Sequence, residues 1–524
     1  MSRIEDDVNS TTVAPLDNPA TANLPAGSPP RTTPVAGGYT HRQILLIMSG
    51  LGMGLLLASL DQTIVSTALT VISEHFNRVD LYSWVVTAYL LTSTASTPLY
   101  GKISDQFGRK RIFQVAIVIF LIGSALSGLS QSMYQLIAFR ALQGLGAGGL
   151  MTLAFAIIGD VIPPRERGRY QGYFGAVFAV SSVVGPLLGG FLVDQASWRW
   201  VFYVNLPIGV VGLVVINRVL KLDHKPRSSK VDVAGSLLIV TGVSLLLVGV
   251  QIAGTAAKIT ATAWAYAIPG VALLGAFIWW ERRAAEPIIP LRLFRNSVFA
   301  VSNTLAFITG TVMFGALIFL PLYLQSVRGV SPTISGLRLL PMLAGVLLTS
   351  IGSGQLVTRW GRYKGFVIVG TLVLTVGVAI MTQITVTTSA WPLAGMLFVV
   401  GLGLGLFMQI LVVAVQNAVP ATDMGVGTAS VTFFRTLGGA VGSAVLGAVL
   451  ILKETSSLPH YQHIYGASSP AALQHAFTFG MDQAFVYALP VAAVSFVLSF
   501  MLREVRLRSA SDTPHSSPAA EAII

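Results

Sequence analysis

The stretch "GKISDQFGRKR", Gly101–Arg111, places four cations and one acid between two long apolar runs. It stands out because only 10% of the whole chain is charged. The same spacing, G-x6-G-R-x-[KR], recurs from Gly354 as "GQLVTRWGRYKG". The repetition of so polar a stretch predicts that the chain contains two related halves.

A second pair of segments supports this repeat. The alternating glycines of Gly144–Gly148 return at Gly401–Gly405, and the pattern P-x2-[ED]-x-G from Pro163 returns from Pro420. If the apolar runs cross a membrane, both members of each pair are predicted to lie on the same side of it, so the repeat is parallel. Parallel repeats are typical of one class of secondary transporter, in which substrate binds between two halves that rock against each other.

The composition is that of a protein embedded in a membrane. Of 524 residues, 53% are hydrophobic, and the mean hydropathy is +0.73. The apolar runs reach about 20 residues, enough to cross ~30 Å of hydrocarbon as helix, the structure that satisfies its own backbone in lipid. We predict an all-α polytopic protein with fourteen spans. They cover residues 43–72, 81–100, 112–131, 134–160, 170–193, 200–217, 233–252, 263–280, 298–325, 334–357, 366–385, 391–418, 428–452 and 482–502.

Charge placement predicts the orientation. Most Lys and Arg between spans fall on the side that holds both tails, which is the positive-inside pattern of a cytoplasmic face. The net charge of +12 therefore reflects topology, and we expect no nucleic-acid partner. We expect a functional monomer in a bacterial cytoplasmic membrane, with both termini in the cytoplasm. The predicted parts are a disordered tail (1–42), an N-terminal six-helix bundle (43–219), a linker with two extra helices (220–296), a C-terminal six-helix bundle (297–503) and a second tail (504–524).

Several chemistries have no support in the sequence. The chain has no cysteine, and neither an ATP-binding P-loop nor the motifs of zinc or serine hydrolases occur. His460 and His463 have the spacing of metal ligands but lie in a stretch predicted to be a long loop, 453–479, where surface histidines are the better interpretation. We expect no enzyme activity, no metal and no cofactor, with a proton gradient as the energy source.

Two charges lie inside predicted spans. Asp61 is the one carboxylate well within an apolar run, and Arg140 falls at a similar depth on the outer half of the fourth span. Ionisable residues in membrane helices are functional candidates by default, and carboxylates of this kind relay protons. We predict that the pair couples proton flow to transport, in a cleft that alternately floods and dries. The alternatives are a structural Asp61 and an Arg140 that extends to the outer interface.

The 101–111 segment has a second interpretation besides topology. Gly101 and Gly108 suit a tight turn, and Asp105 suits a helix N-terminus or a pair with Arg109. Such charges form and break pairs as a cleft closes and opens. The alternative is that the cations, Arg111 among them, only anchor the topology.

Small residues mark the fifth span. "GPLLGG" contains Gly185, Pro186, Gly189 and Gly190. Small residues let helices pack backbone to backbone, and proline bends helices, so both close packing and a hinge are open.

Polar and aromatic side chains within apolar spans are candidates to line the cleft. An apolar, aromatic cleft with one acid would suit lipophilic and often cationic small molecules. The candidates are Gln143, Phe155, Phe178, Asn303, Phe307, Phe314, Gln325, Gln409 and Gln416.

Four of these stretches resemble a known family. "GKISDQFGRKR" is similar to the loop signature between helices two and three of the major facilitator superfamily, and "RALQGLGAGGL" to its helix-four motif. "GAVFAVSSVVGPLLGGFL" resembles its antiporter motif in helix five. "LDQTIVSTAL" in the first of fourteen spans resembles the drug:proton antiporter-2 family of multidrug exporters.

The resemblance implies a two-bundle fold that exports lipophilic compounds in exchange for protons. It assigns proton coupling to Asp61 and Arg140, and a cytoplasmic charge network to Asp105, Arg109 and Asp160. The second half departs from the pattern, because Thr358 stands where Asp105 has its equivalent. Any cytoplasmic lock should therefore be one-sided.

Other functions remain open at this point. A dedicated exporter of one endogenous antibiotic or lipid would share every feature above. Import is disfavoured by the antiporter-like fifth span. A sensor or scaffold without transport is disfavoured by the buried Asp61, which such a protein would not need.

Overall fold

The computed structural model describes residues 41–78, 81–220, 232–256, 260–466, 468–505 and 507. Most of the two predicted tails, residues 1–40 and 508–524, lies outside the described residues. The described chain is helical. Its helices are α1 (His41–His75), α2 (Tyr82–Phe107), α3 (Arg109–Leu129), α4 (Met133–Val161), α5 (Pro164–Gln195), α6 (Trp200–Tyr203), α7 (Asn205–Val219), α8 (Val233–Ala256), α9 (Ala261–Glu281), α10 (Ser297–Ser326), α11 (Pro332–Leu337), α12 (Leu340–Trp360), α13 (Lys364–Met381), α14 (Ala390–Ala418), α15 (Met424–Tyr465) and α16 (Pro470–Ser499).

Many of these helices suit a membrane. Within the described ranges, eleven helical segments are long and apolar enough to cross one. Three further long helices, α2, α5 and α10, lie at the predicted spans 81–100, 170–193 and 298–325. Serines and threonines lower the hydropathy of α2, and charges in its first turns lower that of α5. The count of fourteen spans stays a prediction.

The predicted loop 453–479 is largely helical, which corrects the sequence analysis. α15 continues to Tyr465, with Pro459 inside it, and the chain turns at Gly466, whose φ is 100°. Polar residues beyond the apolar run, such as Lys453 and Glu454, are good helix formers and extend the helix past the predicted span. His475 stacks on Tyr465 with ring centroids 4.6 Å apart.

The helices pack in two groups joined by a hairpin. In the first group α2 and α3 pack on α4, and α1 packs on α5 and α7. In the second group α10 and α16 pack on α15, and α12 and α13 pack on α14. Helices α8 and α9 pack on each other, and α8 contacts both α2 and α15. A buried apolar cluster of Ala95, Ile239, Val243 and Phe433 seals this three-helix contact.

Two glycine contacts join the halves at the end of the molecule that carries the 101–111 segment, called here the basic end. Gly101 lies against the backbone of Gly425, and Gly354 lies against the backbone of Gly168. Gly101 matches Gly354 in the first repeat, and Gly168 matches Gly425 in the second. The two contacts are therefore equivalent under the pseudo-twofold relation that the repeats predict.

The matched glycines of the turns are also equivalent. Gly108 has a φ of 96° and Gly361 a φ of 67°. Both values lie in the region that favours glycine, which explains why the repeat keeps this residue type where α2 meets α3 and α12 meets α13.

Candidate functional site

Asp61 of α1 sits at the centre of a buried polar cluster. Its Oδ2 accepts a hydrogen bond from Arg140 Nη1 at 2.5 Å. Its Oδ1 accepts from Gln143 Nε2 at 2.8 Å and from Asn205 Nδ2 at 3.1 Å. All four side chains are at most 1% exposed. Both carboxylate oxygens are thus occupied by donors, and the negative charge is balanced by Arg140.

Arg140 is held from several directions. Its Nη1 also donates to Gln143 Oε1 at 2.8 Å, and its guanidinium lies 4.2 Å from the centre of the Tyr89 ring. The Tyr89 hydroxyl donates to the Ala58 carbonyl, next to Asp61 on α1. Arg140 therefore points into the protein, and the alternative that it extends to the outer interface does not describe this structure.

The position of Asp61 differs from the expected one. Its three hydrogen-bond partners come from α4 and α7, helices of the first group, so the carboxylate lies inside the N-terminal bundle and not in a gap between the halves. Gln143, expected to line the cleft, instead binds Asp61. Asn205 was missed by the sequence analysis, although an amide within the apolar run "NLPIGVVGL" was a signal for it.

A second charged cluster lies at the basic end. Arg109 of α3 is bonded to Asp105 at 3.0 Å, to Asp160 of α4 at 2.7 Å, and to the Ala156 carbonyl at 2.6 Å. Asp105 also accepts hydrogen bonds of 3.2 Å from the backbone N–H groups of Gly425 and Val426. An acid from the first half thus caps the N-terminus of α15 in the second half, where the helix dipole favours negative charge.

Burial in this contact changes the acidity of Asp105. Desolvation raises the pKa of Asp105 to about 6, while Arg109 and the two backbone donors oppose the rise. Arg111 is exposed on α3, so it does not belong to this buried cluster. In the second half, the Thr358 hydroxyl donates to the Gly354 carbonyl of its own helix.

Arg167 joins the halves beside this cluster and was also missed. It is buried at the start of α5, donates to the Ile162 carbonyl at 2.9 Å, and reaches the Gln416 carbonyl at 3.4 Å. In the sequence it is one of the many cations between spans, and nothing in the spacing sets it apart from Arg165 and Arg169.

The small residues of α5 make two different contacts. Gly185 packs against Thr63 of α1, and the Pro186 ring faces Gly336 of α11 in the second half. Gly189 is buried and Gly190 half-buried in the same unbroken helix. Close packing is thus observed at Gly185, and a hinge at Pro186 stays a prediction.

The expected cleft residues divide into separate groups. Gln416 joins the halves, since its Nε2 donates to the Phe155 carbonyl at 2.9 Å and its Oε1 accepts from Gln171 at 3.0 Å. Gln325 bonds Ser335 near the opposite end. Asn303 donates to the Phe299 carbonyl of its own helix.

The remaining five candidates differ in burial. Phe155 is fully buried, with its ring centroid 5.2 Å from that of Phe174. Gln409 is buried, and Phe178 and Phe307 are half-buried. The Phe314 side chain lies outside the described residues.

The arrangement of two helical groups, a balanced intramembrane ion pair and a charged contact at one end can be compared with known proteins. The sequence model of the Major Facilitator Superfamily matches residues 51–443. The chain belongs to the Major Facilitator Superfamily. It is accordingly a multi-pass membrane transporter and not an enzyme.

Relatives of this superfamily member include bacterial transporters. It is 41% identical over 485 residues to an uncharacterized MFS-type transporter of Mycobacterium tuberculosis, covering 89% of this chain and 70% of that one. It is 38% identical over 432 residues to the multidrug transporter protein MdtP of Bacillus subtilis, covering 81% and 79%. Among solved structures, the MFS proton:xylose symporter XylE has the same fold, with a TM-score of 0.64 at 15% identity over 90% of this chain and 99% of that one.

Proposed function

We propose that this transporter exports lipophilic small molecules from the cytoplasm in exchange for protons. The proposal includes membership of the drug:proton antiporter-2 family, fourteen spans, and a bacterial cytoplasmic membrane with both termini inside. It is supported by the four family motifs and by the similarity to MdtP, a multidrug transporter protein. No cofactor is needed, because the proton gradient supplies the energy.

The observation that carries the proposal is the buried pair of Asp61 and Arg140. Intramembrane carboxylates that pair with a cation are typical of proton relays, and Gln143 and the Tyr89 ring give the Arg140 guanidinium partners besides Asp61. Asp61 is fully buried here, so protons reach it only when the helices around it rearrange and admit water. Such a requirement links proton exchange to the conformational cycle.

The contacts at the basic end control access from the cytoplasm in the proposed cycle. The two glycine contacts and the cap of Asp105 on α15 close this end in the present conformation. Loading of substrate from the cytoplasm then requires these contacts to break. Release of substrate to the outside requires them to form again.

The charge of the substrate is not set by Asp61. The expectation of cationic substrates relied on a free acid in the cleft, whereas Asp61 is neutralised by Arg140 within one bundle. We therefore propose lipophilic character, and not positive charge, as the shared property of the substrates.

The proposal is tested in vesicles that expose the cytoplasmic face outward and hold an acidic interior. Vesicles with native protein should accumulate a lipophilic dye. Vesicles with Asp61→Asn protein should lack the dye accumulation that depends on the proton gradient. Asp194→Asn makes the same chemical change at an exposed position of α5 and should transport normally. Full gradient-driven accumulation by folded Asp61→Asn protein would refute the proposal.

A further inference from the structure

Four helices meet in a hydrogen-bonded layer between the two halves. Gln416 of α14 receives a bond from Gln171 of α5 and donates one of 3.1 Å to Thr428 of α15. Gly159 of α4 lies against the same Gln416 side chain. The four residues Gly159, Gln171, Gln416 and Thr428 form what we call the lower layer.

A second layer follows from helix geometry. Seven residues are nearly two turns, so a residue seven positions along each helix lies on the same face, about 10.5 Å further on. Stepping away from the basic end leads from the lower layer to Thr152 on α4, Phe178 on α5, Gln409 on α14 and Arg435 on α15. These four residues form what we call the upper layer.

The upper layer respects the internal repeat. The second repeat relates Thr152 to Gln409 and Phe178 to Arg435, as it relates Pro163 to Pro420. The layer is therefore centred between the halves. It is asymmetric in chemistry, because an arginine in one half takes the place of an aromatic ring in the other.

Arg435 is unusual among the buried cations. It is 8% exposed, and among the residues that the structure describes it has no hydrogen-bond acceptor and no carboxylate partner. The buried Arg140 and Arg109, by contrast, each donate a hydrogen bond to an aspartate carboxylate. At 1.5 Å per residue, Arg435 lies about 16 Å along α15 from Met424, too far to reach water beyond the basic end.

Two other residues of the upper layer share this lack of partners. The Gln409 Oε1 and the Thr152 hydroxyl are buried and have no hydrogen bond within the described structure. Burying a polar group without a partner is unfavourable, and burying an unpaired charge is more so. A site that keeps a cation and two polar atoms unpaired in one layer is suited to a ligand that pairs with them.

We infer that Arg435 binds the anionic group of a transported substrate, and that the substrates include amphipathic organic anions such as aromatic carboxylates. The carboxylate takes a charge-assisted bond from the guanidinium, and Thr152 offers a further donor. The half-buried Phe178 provides an aromatic face for the apolar body. This inference rests on the proposed transport function, since it places the substrate between the two halves.

The test compares three forms of one probe on the purified full-length protein in detergent. The probes are 1-pyrenebutyrate, its uncharged methyl ester, and 1-pyrenemethylammonium, with binding followed by fluorescence. The carboxylate should bind at least about tenfold more tightly than the ester, as expected for a charge-assisted bond. Equal affinity of native protein for the acid and the ester would overturn the inference.

Variants test the residue itself. Arg435→Gln should lower carboxylate affinity at least about tenfold, with Arg435→Lys in between, because lysine keeps the charge but not the planar fork. Arg328→Gln removes an exposed cation near the opposite end and should leave the affinity for the carboxylate probe unchanged. Gln409→Glu places a carboxylate in the same layer as Arg435 and should compete with the probe, so the inference can still be tested if Arg435→Gln does not fold. Unchanged carboxylate binding by folded Arg435→Gln or Gln409→Glu would also overturn the inference.

Transport separates this inference from the proposed function. If native vesicles drive dye uptake with protons but binding shows no preference for the carboxylate, only the inference fails. If the carboxylate binds selectively but neither dye nor 1-pyrenebutyrate is moved by a proton gradient, the proposed function fails.

Discussion

Gly168 of α5 and Gly354 of α12 meet backbone to backbone where the two halves close at the basic end. A Cβ added to Gly354 would overlap the Gly168 carbonyl, whereas a Cβ added to Gly168 would lie 3.0 Å from the Gly354 carbonyl oxygen. The closed contact therefore depends most strictly on glycine at position 354.

Gly354→Ala should open the basic end. Overpacking of this kind costs about 1–3 kcal/mol, enough to shift the conformational equilibrium. Spin labels on Arg111→Cys and Arg362→Cys, both exposed, would report the distance between the halves, and the chain has no native cysteine to interfere. We expect a longer distance for Gly354→Ala.

Gly352→Ala is the matched control, because a Cβ there meets nothing within 4 Å. If both variants gave the native distance distribution, the glycine contact would not limit closure.

Asp105→Ala should lower efflux without lowering expression. It removes the ion pair to Arg109 and leaves two N–H groups of α15 without an acceptor, a loss of about 1.5–3 kcal/mol for bonds to a charged group. Initial rates of dye uptake in vesicles, normalised to protein content, give the measurement. We expect a drop of roughly tenfold or more.

The control is Glu286→Ala, which removes an acid 46% exposed whose pair with Lys102 lies at the same end. Exposed pairs contribute little, so uptake should stay near native. Native rates in well-folded Asp105→Ala protein would rule out a role for the cap in the cycle.

The closed conformation should be favoured by acid. Burial raises the pKa of Asp105 to about 6, above the value of about 3.9 for an exposed aspartate in the open form. The closed form thus binds the proton more tightly. Its advantage is complete below about pH 4 and is lost as pH rises through about 6, changing roughly tenfold per pH unit within that window.

The same spin-labelled pair, measured from pH 5 to pH 8, should show more of the short distance at the acidic end. Asp105→Asn cannot titrate and should show no such trend. A trend that persists in Asp105→Asn would assign the dependence to another group.

Arg140→Gln should destabilise the protein more than the double variant Asp61→Asn/Arg140→Gln. Removing one partner of a buried pair leaves an uncompensated charge, at about 3–5 kcal/mol, whereas removing both leaves none. Asp61→Asn alone should also lower stability, because it leaves Arg140 as a buried cation without a counter-ion. Thermal unfolding midpoints of the native protein, the two single variants and the double variant, measured in detergent, complete a double-mutant cycle. If the double variant lost the sum of the two single losses, a direct interaction between Asp61 and Arg140 would be contradicted.

Some site residues could be predicted from the sequence because their signal is local. Asp61, Arg140, Asp105 and Arg109 are charges in or next to apolar runs, and that contrast is visible without a structure. The signal for Asn205 was weaker, since an amide contrasts less than a charge with its apolar run. Arg167 had no such contrast, since it is one of three arginines in a short polar segment.

The amino-acid sequence by itself determined the helices, the membrane setting and the two-fold repeat, because hydropathy and spacing act over neighbouring residues. Tertiary structure decided that Asp61 faces into one bundle and that Arg435 is buried without a hydrogen-bond or carboxylate partner among the described residues. The direction a side chain faces depends on how each helix is rotated and crossed against the others, and many distant contacts set that rotation together.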